Sequence, residues 1–239
     1  MKSKEQGLQE QEYKFPYHHL LNRDQPRGVE YFAYLDQAIR FLKKSNPSLV
    51  LDIGCGDGKS TQELDKHFEK VIGIDYSPKA ISFAQAFSPQ ITFLNVNIVE
   101  DKIIQKGEAA LCMEVIEHIP PNKLPEFIKA ISKLLKPGST LVITTPTTLL
   151  KIPKKHYQHF TEEKISLLLE KDFIKRKVIY HQKKNIHLLF FILRGILTNR
   201  WYNVNIRTLN RLLIILYTNL VRKASVSNGQ RIIYVAEKR

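Results

Sequence analysis

From Ser48 onward the chain repeats one pattern: a short run of aliphatic residues, a turn, then a stretch whose apolar positions recur at helical spacing. SLVLDI (48–53) reads as a buried strand, residues 54–58 as a glycine turn and residues 59–68 as a helix. VIGID (71–75) is a second strand, followed by a helix opened at Ser77-Pro78, where the serine caps and the proline suits the first turn. Further strands are expected at ITFLNV (91–96), AALCM (109–113) and TLVITT (140–145), with a helix over 122–135 stopped by Pro137-Gly138. An amphipathic helix over 30–44 precedes the first strand, and another helix covers 161–171. FIKRKVIY (173–180) and RIIYVAE (231–237) supply a sixth and a seventh strand. Strands separated by helices require right-handed crossovers, so the expected fold is α/β, a doubly wound, mainly parallel seven-stranded sheet covered on both faces. Residues 29–239 then form one domain behind an N-terminal segment, 1–28.

The stretch before the last strand breaks the pattern. It holds an apolar run, Leu188 to Leu193, and a helical pattern in which Leu209, Leu212, Leu213, Leu216 and Leu220 share a face broadened by Ile214 and Ile215. Arg207, Arg211 and Arg222 fall opposite. A helical insertion over about 185–223, made of two basic amphipathic helices, is expected to pack as a lid, to lie on a membrane surface or to be a packed extension of the core.

Charge sharpens this. The 37 basic and 23 acidic residues give +14, and residues 1–150 carry 18 of each, so residues 151–239 hold the whole excess. No acidic residue lies between Asp172 and Glu237. Such a field attracts phosphate backbone or an anionic membrane, or simply keeps the protein soluble. With 43% hydrophobic and 25% charged residues the composition excludes a disordered or collagenous chain. Two cysteines, no long apolar run and a polar start, MKSKEQGLQEQEYK, point to a cytoplasmic protein rather than a secreted or spanning one.

VLDIGCGDG (50–58) is the motif with most chemistry in it. Gly54, Gly56 and Gly58 let backbone approach a ligand closely, and the helix that follows turns its positive end towards the site. The dinucleotide fingerprint would need glycine where Lys59 stands, and Asp52 would repel a pyrophosphate but suit a ligand carrying positive charge. Asp75 ends the second strand 21 residues after Gly54, where a carboxylate can accept bonds from both hydroxyls of a ribose.

These residues resemble the class I S-adenosylmethionine-dependent methyltransferases, in the small-molecule branch that includes ubiquinone-pathway enzymes, over roughly 49–173 plus the closing strand. The resemblance implies a Rossmann-like fold with S-adenosyl-L-methionine as cofactor. It implies that Asp52 and the backbone of Gly54, Cys55 and Gly56 hold the methionine portion, that Asp75 clamps the ribose and that Tyr76 lies beside the adenine. Asn97, followed by Ile98, stands where the family usually has an Asp bonding the adenine amino group, and an amide oxygen can accept that bond too. Met113, Glu114 and Val115 would run along the sulfonium side, and LLKPGSTLVITTP (134–146) resembles the family's helix, turn and fifth strand.

For a hydroxyl acceptor a general base helps, and His118 in CMEVIEHIP (112–120) lies where the fourth strand opens, with Glu117 to orient it. The same pair would serve equally to bond the loop backbone. KKHYQHFTEEKI (154–165) offers His156, Tyr157 and His159 as substrate contacts ahead of a helix capped by Thr161; loop packing is the alternative. EVIEH with a later HFT also resembles small-RNA 3′-terminal ribose 2′-O-methyltransferases, in which Glu114, Glu117, His118 and His156 or His159 would hold Mn²⁺ or Mg²⁺. The small-molecule branch needs no metal. The insertion is mainly Leu and Ile, with Phe190, Phe191, Trp201, Tyr202 and Tyr217, which suits an interfacial helix better than an RNA surface. The expected acceptor is therefore a small molecule, lipid-linked or a glycan, at the inner face of an anionic membrane, with RNA as the alternative and a non-catalytic cofactor-binding protein as a third. YKFPYHHLLNRD (13–24), with His18 and His19, would be a lid over the cofactor.

Overall fold

The computed structural model of the protein describes residues 7, 13–23, 26–101, 105–183, 207–221 and 224–239. Helix α1 (Pro26–Leu42), continued by a short 3-10 turn, leads into β1 (Leu49–Ile53). There follow α2 (Lys59–Asp65), β2 (Lys70–Asp75), α3 (Pro78–Phe87), β3 (Thr92–Asn95), β4 (Gly107–Met113) and α4 (Leu124–Leu134). The chain closes with β5 (Leu135–Pro146), α5 (Glu162–Leu169), β6 (Phe173–Lys183), α6 (Arg207–Val221) and β7 (Gly229–Lys238). The sheet order is β3-β2-β1-β4-β5-β7-β6. The first five strands are parallel, and β7 runs antiparallel to both β5 and β6.

Alternation along the strands divides the core between two layers of helix. Leu49, Leu51 and Ile53 of β1 pack with Leu141 and Ile143 of β5, Ile232 and Tyr234 of β7, and the apolar faces of α4 and α5. Val50, Val142, Ile233 and Val235 point the other way, onto Leu35, Ala38, Ile39 and Leu42 of α1. The caps fall where the sequence puts them: Ser77 accepts the Ala80 N–H at the head of α3, and Thr161 accepts the Lys164 N–H at the head of α5.

Four expectations change. Pro137-Gly138 does not separate helix from strand, because β5 begins directly at Leu135 and the register against β4 shifts between Gly107 and Ala109. The helices expected over 59–68 and 161–171 end earlier, at Asp65 and Leu169. In α6 the broad apolar stripe is divided: Leu213, Ile214 and Tyr217 pack towards Val29 of α1, while Leu212, Ile215, Leu216 and Leu220 are each at least 43% exposed. The Leu188–Leu193 run and the first insertion helix, with Phe190, Phe191, Trp201 and Tyr202, lie outside the described residues, as do the side chains of Arg207, Leu209, Arg211 and Arg222.

Candidate active site

The order of the strands reverses on either side of β1, and a cavity of about 980 Å³ opens there along the carboxyl edge of the sheet. Gly54 and Gly56, at φ 73° and 56°, turn the chain out of β1 in a conformation that disfavours side chains. The Gly54 and Cys55 N–H groups both donate to the Ile74 carbonyl, at 2.8 and 3.1 Å, which ties the turn to the end of β2. Asp75 then receives the Gly56 N–H on Oδ2 at 2.9 Å and the Ser77 N–H on Oδ1 at 2.8 Å. Tyr76, Asn97 and Ile98 line this half of the cavity. The Asn97 Oδ1 accepts the Val99 N–H at 3.2 Å, which leaves one of its two lone pairs for a ligand. Cys55 lines the cavity too, but burial, with Asp75 close by, raises its thiol far above the ordinary value, so it acts as a small apolar surface.

Asp52 is not brought to the cavity. Its Oδ2 accepts both the Ser60 and Thr61 hydroxyls at 2.7 Å, binding β1 to the first turn of α2 behind the glycine turn. Burial pushes its carboxyl up to about 6, against the lowering effect of those two bonds.

The N-terminal segment forms the outer wall of the same half. Tyr13, Tyr17, His18 and Leu21 line the cavity, with the Tyr13 hydroxyl lying just above Gly56. Asp57 anchors the segment: His18 donates to its carboxylate through the backbone N–H at 2.9 Å and through Nδ1 at 3.0 Å, and His19 Nε2 donates to its carbonyl at 2.9 Å. Burial works against the Asp57 charge, but the bonds from His18 outweigh it and hold the carboxyl below its ordinary range. His18 is thus tied to a carboxylate and His19 stacks on Phe87, 4.0 Å between centroids.

The other half of the cavity lies over β4, β7 and the end of β6. Glu114 holds φ 56°, a left-handed conformation that costs a non-glycine residue about 1–3 kcal/mol and accumulates at functional sites. Its N–H is fixed by the Thr144 carbonyl at 2.9 Å, its Oε1 accepts the Thr144 hydroxyl at 3.2 Å, and its Oε2 lies 3.0 Å from Arg231 Nε. Glu117 is fully buried; burial and the Glu114 charge push its carboxyl well above the ordinary range. Its Oε2 accepts the Thr145 hydroxyl at 3.1 Å.

Three histidines follow a proton logic set by carbonyls, which only accept. The His118 Nδ1–H donates to the Lys155 carbonyl at 3.1 Å, so the lone pair of the neutral ring sits on Nε2. The Lys155 carbonyl, not Glu117, therefore orients His118. His159 donates its Nδ1–H to the Leu150 carbonyl at 3.0 Å, so its Nε2 accepts from His156 Nδ1 at 2.9 Å, and the His156 lone pair is on Nε2. Burial, aided by the crowding of His118 and His159 against any positive charge on the ring, lowers His156 to about 3 and keeps it neutral. His156 and Tyr157 line the cavity, but His159 is buried behind them and braces His156 instead of meeting a substrate. Ligand atoms of Glu117, His118 and His156 lie within 4.8 Å of one another.

Sequence reasoning missed Glu30, Gln182 and Arg231, all of which line this half. They come from α1 and from the ends of β6 and β7, and only the sheet order reveals that these segments meet.

The cradle fits an adenosyl sulfonium: two glycines open the backbone, an acid closes β2 and a second compartment adjoins the first. Residues 27–176 match the methyltransferase domain family. The chain belongs to the class I S-adenosylmethionine-dependent methyltransferases. It is 34% identical over 118 residues to ubiquinone biosynthesis O-methyltransferase of Coxiella burnetii, covering 47% of each chain, so the match spans about half the length of that relative. With the enzyme of the same description from Xanthomonas oryzae pv. oryzae it shares 31% over 168 residues, covering 64% of this chain and 68% of the relative. In fold it is similar to the magnesium protoporphyrin IX methyltransferase of Synechocystis PCC 6803 with bound S-adenosylmethionine, at TM-score 0.63 and 16% identity over 100% of this chain and 99% of that one.

Two predictions follow from the cofactor half. Asp75→Ala should weaken S-adenosylhomocysteine binding, read by calorimetry, by about tenfold or more, the worth of hydrogen bonds to a charged group. Asp52 has a folded value of about 6 against an ordinary 3.8, so its contribution to stability is fully present below the lower value and is lost as pH rises through the higher. Asp52→Asn should accordingly gain in melting temperature relative to the parent as pH rises through that window; a constant offset across it would contradict the assignment.

Proposed function

We propose that this methyltransferase acts on a hydroxyl of a small-molecule, lipid-linked or glycan acceptor, working in the cytoplasm at the inner face of an anionic membrane. The observation that carries this reading is His118: its Nδ1 is committed to a carbonyl at the mouth of β4, which leaves Nε2 as the basic atom of a ring lining the acceptor half of the cavity. The names of the relatives from Coxiella burnetii and Xanthomonas oryzae support a hydroxyl as the methylated group.

S-adenosylmethionine, when bound, supplies an electrophilic methyl on a sulfonium. Asp75 would accept the ribose hydroxyls, Tyr76 and Asn97 would flank the adenine, and the backbone of Gly54, Cys55 and Gly56 would meet the methionine portion, all of them lining the cavity. The described part of the N-terminal segment, residues 13–23, acts as a lid, with Tyr13, Tyr17 and His18 excluding water from this half. His118 Nε2 takes the proton of the acceptor hydroxyl as the oxygen attacks, and Tyr157 and His156 orient the acceptor.

The membrane contact rests on α6. Leu212, Ile215, Leu216 and Leu220 form an exposed apolar face on the helix, in the part of the chain that carries the whole positive excess. No helix among the described residues is long and apolar enough to cross a membrane.

A second reading is favoured by one observation, the convergence of Glu117, His118 and His156. These three could hold Mn²⁺ or Mg²⁺ over the terminal hydroxyls of an RNA. Glu114 is engaged with Arg231 in that case as well, and His159 serves as the brace.

Labelled-methyl transfer into a lysate separated into lipid, glycan, RNA and protein fractions should mark the lipid or glycan fraction in the presence of chelator. His118→Gln should cut that transfer by about 10²–10⁴ while binding of S-adenosylhomocysteine persists. Label confined to RNA 3′ ends and lost with chelator would replace the first reading by the second. In low salt the protein should sediment with vesicles rich in phosphatidylserine but not with neutral ones, and Leu212→Ser with Leu216→Ser should abolish this; unchanged sedimentation of the double variant would end the membrane assignment.

A further inference from the structure

The antiparallel course of β7 brings Arg231 to the edge where the parallel strands end, opposite Pro146 of β5, and there it lines the acceptor half of the cavity. Its surroundings restrain the guanidinium without using its hydrogen-bonding capacity. Nε lies 3.0 Å from Glu114 Oε2, near enough for an ion pair, but the N–H is not aligned with any acceptor. The Tyr34 ring lies 5.9 Å from the guanidinium carbon. Among the described residues no group accepts a hydrogen bond from either terminal amine.

A guanidinium offers five N–H donors in a flat fork, and withdrawing such donors from water without acceptors is costly. Burial tends to strip Arg231 of its proton, but the charge of Glu114 outweighs it and keeps the group cationic. The carboxyls of this half have other work. Glu114 is bound by Thr144 and Arg231, Glu117 accepts the Thr145 hydroxyl at 3.1 Å, and Glu30 accepts the Tyr217 hydroxyl at 2.6 Å. A ligand arriving here therefore meets a guanidinium in the cavity wall whose N–H donors are not taken up by the residues around it.

We propose that Arg231 is the specificity-determining residue of the acceptor site and binds a carboxylate carried by the acceptor alongside its nucleophilic hydroxyl. The planar pair of carboxylate oxygens matches the two N–H groups along one edge of the fork, which a neutral acceptor leaves unmet and a lone ammonium could not reproduce. Glu114 acts as the positioning residue. Its strained backbone and its anchors on Thr144 hold the carboxylate within ion-pair distance of Nε. The inference rests on the methyltransferase having a hydroxyl acceptor and adds what else that acceptor carries.

The test is calorimetric titration of the full chain saturated with S-adenosylhomocysteine, using protocatechuate, catechol and phenyl phosphate as probes. Protocatechuate should bind about tenfold or more tightly than catechol, the worth of a charge-assisted pair of hydrogen bonds. Arg231→Gln should bring the two ligands level. Arg231→Lys, which keeps a cation opposite Glu114 but loses the fork, should retain only part of the preference, and it covers the case in which the glutamine variant does not fold. Affinity for S-adenosylhomocysteine, measured first on each protein, should not change. Loss of that affinity in the parent protein would overturn the cofactor assignment itself. With the cofactor product bound, equal affinity for acid and catechol, no binding of the acid, or a preference for the acid that survives both substitutions would overturn the carboxylate proposal alone. Tighter binding of phenyl phosphate than of protocatechuate would overturn the choice of carboxylate.

Discussion

The Ile74 carbonyl accepts two backbone N–H groups, those of Gly54 and Cys55, and by doing so it joins the exit of β1 to the exit of β2. Neither strand could otherwise keep its loop against its neighbour, since both loops leave the sheet where ladder bonding ends. Once they are joined, the Gly56 N–H falls on Asp75 and the Ser77 cap starts α3 beside the same carboxylate. The cofactor compartment is thus made largely of backbone, held by backbone. Side chains enter as the acid at its floor and as the aromatic wall contributed from upstream.

The acceptor compartment is assembled differently. Its parts come from β4, from the loop after β5, from α1 and from the two antiparallel strands at the edge, and they meet because β7 runs against its neighbours. His118 shows the principle: a carbonyl from a loop 37 residues away fixes its tautomer. His156 receives its tautomer from His159, which receives it in turn from the Leu150 carbonyl. Proton positions at this site are therefore dictated by the main chain, through acceptors that cannot titrate.

The strands were legible because alternation and runs of Val, Ile and Leu report burial on one or two faces, and Ser77 and Thr161 were legible because caps have local chemistry. Asp75, Tyr76 and Asn97 line the cavity because they stand at or just beyond strand ends in a fold whose cleft opens at that edge. Asp52 was misread because its position in the motif does not tell which way β1 turns it, and it points to Ser60 and Thr61 of α2. His159 was misread as a substrate contact because the two histidines are three residues apart, and only the Leu150 carbonyl decides which one is the brace. Arg231 was counted as charge alone, as strand register across the sheet is a long-range fact. The stripe on α6 was legible as amphipathic, but the sequence could not divide it between the face that meets Val29 and the face that meets solvent.

The strained geometry of Glu114 has a consequence for how the enzyme would lose function on heating. Its conformation is enforced from β5 and β7, by Thr144 and Arg231, whereas the glycine turn is secured between β1 and β2 at the middle of the sheet. Fraying of the antiparallel edge would free Glu114 to relax and the arginine to drift while the inner strands stayed intact. Thermal inactivation would then run ahead of global melting, leaving a protein that still grips its adenosyl ligand but no longer performs the transfer.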